Sequence, residues 1–119
     1  MVRLLAVDAE RSAPLATGLS ITHRDDVRGV VLVLSGELDA VSAPELEQRL
    51  GDALAQPYAR VMLDLKGLSF VDSAGVSVLI KAKQNAEANG QTLVLRRPTE
   101  QLHRVFALVG LADWLTYED

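Results

Sequence analysis

From Leu19 onward the hydrophobic positions follow two periods, and the switches between them lay out the elements. Leu19-Ser20-Ile21-Thr22-His23 alternates with period two and predicts a first strand. Asp25-Asp26-Val27-Arg28-Gly29 is turn chemistry. Val30 to Leu34 is a continuous apolar run, which predicts a strand buried on both faces and hairpinned to the first. Ser35-Gly36-Glu37-Leu38-Asp39-Ala40 ends it. In Val41-Ser42-Ala43-Pro44-Glu45-Leu46 the spacing predicts a helix start: Ser42 as N-cap and Glu45 at N3 make a capping box, and Val41 and Leu46 a hydrophobic staple. Leu46, Leu50, Ala53 and Leu54 form the apolar stripe of that helix, which ends before Pro57.

Arg60 to Leu65 alternates again and predicts a third strand. A second helix follows over Val76–Ala88, with Val76, Leu79, Ile80 and Ala86 on one side and Lys81, Gln84, Asn85 and Glu87 on another, stopped at Asn89-Gly90. Thr92 to Leu95 is a fourth strand. Pro98 to Val109 is a third helix, with Leu102, Val105, Phe106 and Val109 at i, i+3, i+4, i+7, stopped by Gly110; Trp114 to Tyr117 reads as a last short strand. Residues 1–18 have poor periodicity and read as a flexible lead-in or, over Arg3–Val7, an extra edge strand; 19–119 is the expected domain. The order ββαβαβα(β) is α/β. The first hairpin is antiparallel, and the strand–helix–strand crossovers make the rest of the sheet largely parallel.

Between the third strand and second helix lies Leu68-Ser69-Phe70-Val71-Asp72-Ser73-Ala74-Gly75. A loop that leaves a strand and opens a helix puts Ser73 at or near the N-cap, where its oxygen accepts from free N–H groups. A phosphate there would meet the positive end of the helix. Capping alone is the plainer reading.

Composition removes most competing chemistries. At 119 residues with 49% hydrophobic side chains and 4% aromatics, the chain supports one aliphatic core. It has no cysteine, so no disulfide, thiolate metal site or cysteine nucleophile. His23 and His103 fall on separate elements without ligand spacing, and the expectation is no cofactor and no metal; His103 reads as a surface residue. A formal charge of -4 without a basic cluster argues against direct nucleic-acid binding. No apolar run reaches the roughly 18 residues of a membrane span, and the start is too short and too interrupted by charge for a signal peptide, so a soluble cytoplasmic protein without membrane insertion is expected. There is no GxGxxG or GK[ST] loop, and DSAG around Ser73 is not the GxSxG of a hydrolase. A receiver-type phosphoaspartate is also excluded: Asp64 lies inside a strand, and Asp25-Asp26 occupies a hairpin turn.

Ser35-Gly36-Glu37-Leu38-Asp39, Ser42-Ala43-Pro44-Glu45-Leu46 and Leu65 through Gly75, in that order, resemble the STAS domain of bacterial anti-sigma-factor antagonists, over about residues 19–117. The resemblance implies a mixed sheet with helices mainly on one face, and a protein-binding switch in place of an enzyme. In that family the serine directly after the aspartate is phosphorylated by a partner that is both anti-sigma factor and serine kinase; here it matches Ser73. The unphosphorylated antagonist binds the kinase and frees the sigma factor, phosphorylation releases it, and a serine phosphatase resets it. The aspartate ending GELD, important for phosphorylation or docking, matches Asp39. Many members carry two serines after the aspartate; here Ala74 fills the second position, leaving one hydroxyl.

The partner-binding residues expected on this basis are Asp39, Asp72, Ala74, Gly75 and Val76. Gly75 removes a side chain where a kinase approaches, or else serves unusual backbone angles. Leu38, Phe70 and Val76 read as core by type, with docking as the other reading. Ser69 and Ser77 read as capping or packing. The alternative function is an accessory scaffolding STAS module of a lipid transporter or sensory assembly, without a phosphoswitch.

Overall fold

The computed structural model describes residues 18–118. Strands β1 (Leu19–Asp26) and β2 (Gly29–Leu38) form the expected hairpin; then come α1 (Ala43–Leu54), β3 (Arg60–Val71), α2 (Ser73–Ala88), β4 (Thr92–Arg96), α3 (Glu100–Leu108) and β5 (Thr116–Glu118). The five strands lie in sequence order, β1 antiparallel to β2 and each later pair parallel. The element order and mixed sheet are those the periodicity predicts. The edge-strand reading of Arg3–Val7 lies outside the described residues.

Among the described residues, all three helices cover one face. Val30, Leu32, Leu34, Val61, Leu63, Leu65, Leu93 and Leu95 point into a core shared with Leu46, Leu50 and Leu54 of α1, Val76, Leu79 and Ala86 of α2, and Leu102 and Phe106 of α3. On the other face Val31, Met62 and Val94 form a small separate cluster with Val33, in which no helix residue takes part. This explains why Val30 to Leu34 reads as one unbroken apolar run: β2 contributes apolar side chains to a cluster on each face of the sheet.

β1, β2 and β3 run further than their alternation suggests, to Asp26, Leu38 and Val71. β3 continues to Val71 and pairs with β2 along the first half of the stretch expected to be loop, through Gly36 with Leu68, Glu37 with Phe70 and Leu38 with Val71. Irregularities between Val33 and Ser35 and between Gly36 and Glu37 reset the pleat, so that Leu65, Leu68 and Val71 are all buried at intervals of three. A bulge shifts the period and hides the strand from a period-two reading. Gly36 serves this irregularity: its φ is +102°, and a Cβ there would stand 1.8 Å from the Gly18 carbonyl oxygen.

In α3 only Leu102 and Phe106 are buried; Val109, expected on the stripe, is the C-cap and exposed. In α2 the buried side also includes Val78, Ala82 and Lys83, with Lys83 Nζ 5.3 Å from the Trp114 ring and 3.4 Å from Glu87. Asn89 caps α2 and Gly90 follows with φ +70°, as Asn-Gly predicts. Among the described residues no helix is long and apolar enough to cross a membrane.

Candidate functional site

The C-terminal ends of β2 and β3 lie side by side, and each runs straight into a turn carrying an aspartate. The bond that ties them is short-range and main-chain: Asp72 N–H donates to the Leu38 carbonyl at 3.1 Å. The residue before Asp39 is thereby joined to the residue before Ser73.

On the α2 side, Asp72 takes the N-cap expected for Ser73. Its backbone is extended (φ -107°, ψ -172°) and its carboxylate accepts the N–H groups of Ala74 at 2.9 Å and Gly75 at 3.1 Å. An aspartate one residue ahead, already in the β region, outcompetes the serine hydroxyl for those donors. Ser73 is therefore the first helical residue, exposed, and among the described residues its hydroxyl makes no hydrogen bond.

On the α1 side the capping box is not formed. Ser42 sits at the N-cap in a helical conformation without a side-chain cap bond. Its fully buried hydroxyl donates to the Glu37 carbonyl at 3.0 Å and accepts the Asp39 N–H at 2.9 Å. Carbonyl and amide groups at the end of β2 hold it there. Asp39 closes the turn instead: its Oδ1 accepts from the N–H groups of Val41 at 3.0 Å and Ser42 at 3.1 Å. The Ser42 N–H pulls the Asp39 carboxyl below its ordinary 3.8; desolvation opposes this, and the Ser42 hydroxyl and Val41 N–H add to it. The hydrophobic staple is absent as well, since Leu46 is fully buried and Val41 is 63% exposed.

Gly75, read as room for a kinase or for unusual angles, is a packing residue. A Cβ on it would come within 2.6 Å of both Leu38 Cγ and Val71 Cγ2, so the glycine lets the first turn of α2 rest on the ends of β2 and β3. Val76 is buried at 8% exposure and Leu38 is fully buried, so both side chains pack in the core. Ala74 is half-buried against the core. Ser69 is exposed on β3, donating to the Gly36 carbonyl at 3.0 Å, and Ser77 is exposed on α2. Phe70 is 43% exposed. It and Val41 are the exposed large apolar residues of the two aspartate-bearing turns. Val41 was hidden by its apparent place in the staple, and only its exposure marks it.

The family model described as "Mlab, STAS domain" matches residues 21–117. The anti-sigma F factor antagonist of Lysinibacillus sphaericus is 31% identical over 72% of this chain and 74% of its own. The chain belongs to the STAS-domain family of anti-sigma-factor antagonists. The anti-sigma-B factor antagonist of Bacillus subtilis is 30% identical over 80% of this chain and 86% of its own. The anti-sigma factor antagonist SpoIIAA, solved in its unphosphorylated form, superposes with a TM-score of 0.72 at 25% identity, covering 84% of this chain and 89% of that one. SpoIIAA of Bacillus in its phosphorylated form superposes at 0.66 and 25% identity, covering 84% and 92%. The fold of this STAS domain, helices on one side of a mixed five-stranded sheet, is the one the resemblance implied.

The remaining polar residues sit elsewhere. His103 stacks at a tilt on Tyr117 with 5.1 Å between ring centroids, and His23 Nδ1 is 3.4 Å from an Arg49 guanidinium nitrogen. Asp64 lies on the helix-free face, ion-paired to Arg97 and accepting the Lys66 N–H at 3.1 Å. Burial pushes its carboxyl up, but the Arg97 hydrogen bond, the Lys66 N–H and the charges of Arg97 and Arg96 together bring it below 3.8.

Proposed function

We propose that this protein is an anti-sigma-factor antagonist that binds an anti-sigma serine kinase through the turns at Asp39 and Asp72, and that phosphorylation of Ser73 ends the binding. The observation that carries this reading is the division of labour between Asp72 and Ser73. Because the aspartate caps α2, the serine hydroxyl is exposed and has no structural task. A kinase can take it without unfolding the helix. Relatives named as anti-sigma-factor antagonists, and SpoIIAA in unphosphorylated and phosphorylated forms, support the same role.

A phosphate on Ser73 brings about -1.5 to -2 charges and three acceptor oxygens. It sits at a helix N-terminus, which accommodates anions, but beside Asp72 and near the ionised Asp39. A partner surface fitted to the neutral hydroxyl then meets an unpaired dianion, a mismatch that costs several kcal/mol in a desolvated contact, on the order of 2–5. Val41 and Phe70 supply apolar area around the hydroxyl. Gly75 and Val76 act from below, setting where the turn sits. The protein works by binding and not by catalysis. A serine phosphatase restores the hydroxyl, and the ATP-dependent partner places the cycle in the cytoplasm.

Incubation with the cognate kinase and ATP, followed by intact-mass measurement and peptide mapping, tests this. One phosphate on Ser73 is expected, with loss of kinase binding by Ser73→Asp. Equal binding by Ser73→Ala and Ser73→Asp would return the chain to the scaffolding reading.

A further inference from the structure

The helix-free face of the sheet concentrates positive charge in a chain whose net charge is -4. Arg24 pairs in register with Val31 on this face, Arg60 shares the parity of Met62 and Asp64 along β3, and Arg96 that of Val94 along β4. Arg28 and Arg97 reach in from strand ends. Three of these guanidinium groups converge on a single carboxylate. Arg28 Nη2 and Arg60 Nη2 lie 3.3 and 3.0 Å from Glu118 Oε2, and Arg96 Nε lies 3.2 Å from Oε1. Two other acids of the face are engaged: Asp64 with Arg97, and Asp26 with the Arg28 N–H at 3.1 Å.

The cluster is under-supplied with acceptors. Arg60 Nε and Arg96 Nε are buried without a hydrogen-bond partner among the described residues, the latter too poorly aligned on Glu118 for one. Buried donors in a native fold normally have partners, and a guanidinium fork matches phosphate oxygens bidentately. One carboxylate offers two oxygens and one charge to three cations. A phosphate monoester offers three terminal oxygens and nearly two charges.

We propose that Arg28, Arg60 and Arg96 form a binding site for a phosphate group, free or as a small monoester, in which Glu118 is the resident competitor. Glu118 lies on β5, a three-residue edge strand, so its carboxylate can leave the guanidinium groups without disturbing the main core. The site is separate from Ser73: Arg60 and Val71 open and close β3, and the eleven steps between them span roughly 35 Å at about 3.3 Å per residue.

The test is a titration of the isotope-labelled full chain with inorganic phosphate, with glycerol phosphate and with chloride at matched ionic strength, following arginine Nε–H resonances by NMR. Saturable shifts of Arg60 and Arg96 at about millimolar phosphate are expected, an affinity on the order of 4 kcal/mol. Glu118→Gln should tighten binding at least about threefold by removing the competing charge, and Arg60→Gln should weaken it at least about tenfold. Tighter binding of glycerol phosphate assigns an organic monoester, and equal binding assigns free phosphate. The proposal is overturned if the shifts match those in chloride, if Glu118→Gln leaves the affinity unchanged, or if an aspartate-rich peptide binds where phosphate does not. Should Arg60→Gln fail to fold, the Glu118→Gln arm still decides. Ser73→Ala should leave the phosphate titration unchanged, so failure here is separable from failure of the switch.

Discussion

Asp72 N–H donates to the Leu38 carbonyl at 3.1 Å, and that bond places two aspartate turns, 33 residues apart in the chain by the numbering of Asp39 and Asp72, at one edge of the domain. The Asp39 turn opens α1 and the Asp72 turn opens α2. Each aspartate spends one carboxylate oxygen on backbone N–H groups. Ser73, Val41 and Phe70 are exposed on or beside these two turns.

Capping and phosphoacceptance should separate by mutation. Asp72→Ala removes the cap and should cost about 0.5–2 kcal/mol of stability, while Ser73→Ala should stay within about 0.5 kcal/mol of the parent. Urea unfolding followed by circular dichroism measures both. A Ser73→Ala loss as large as that of Asp72→Ala would mean that Ser73 is part of the cap.

Gly75→Ala forces a methyl against Leu38 and Val71. Overpacking of this kind should destabilise by about 1–3 kcal/mol and displace the first turn of α2, lowering kinase affinity as well. A thermal melt and a binding isotherm on the same sample test the pair of effects.

Val41→Glu and Phe70→Glu change exposed side chains, so each should leave stability within about 0.5 kcal/mol. If they line the partner contact, each should weaken kinase binding at least about tenfold, or 1.4 kcal/mol. Isothermal calorimetry with both variants decides it.

Folding favours the ionised form of Asp64, whose carboxyl lies below 3.8 in the native state. The unfolded chain then binds more protons than the native one near that pH, so stability rises with pH across this range. The contribution is complete above about pH 5 and is lost as pH falls through the native value. Arg97→Gln removes the largest stabilising partner and should flatten the acid limb of a stability–pH curve measured by urea midpoints. An unchanged acid limb would show that the ion pair contributes nothing.

The helix stripe Leu46, Leu50, Ala53 and Leu54, the β1–β2 turn and the Asn89-Gly90 stop were legible because each signal is local: a period, a turn composition or a cap chemistry within a few residues. The side-chain cap expected of Ser42, though not the helix start it marks, and the strand end at Leu65 were misread for one shared reason. Both depend on the other strand. Ser42 is drawn from its cap by the end of β2, and β3 continues past Lys66-Gly67 because the irregular pairing with β2 keeps Leu68 and Val71 buried.

The sequence by itself determined the order of elements, the aliphatic core, and the ordered motifs that carry the family resemblance, since period, composition and motif spacing are properties of the chain alone. Which of Asp72 and Ser73 caps the helix, why Gly75 is glycine, and that Val41 is exposed were decided only by tertiary structure. Each turns on which donors, side chains or solvent a residue meets at the paired C-terminal ends of β2 and β3. The arginine cluster on Glu118 belongs with these: its members come from four separate segments, and only the sheet brings them to one carboxylate.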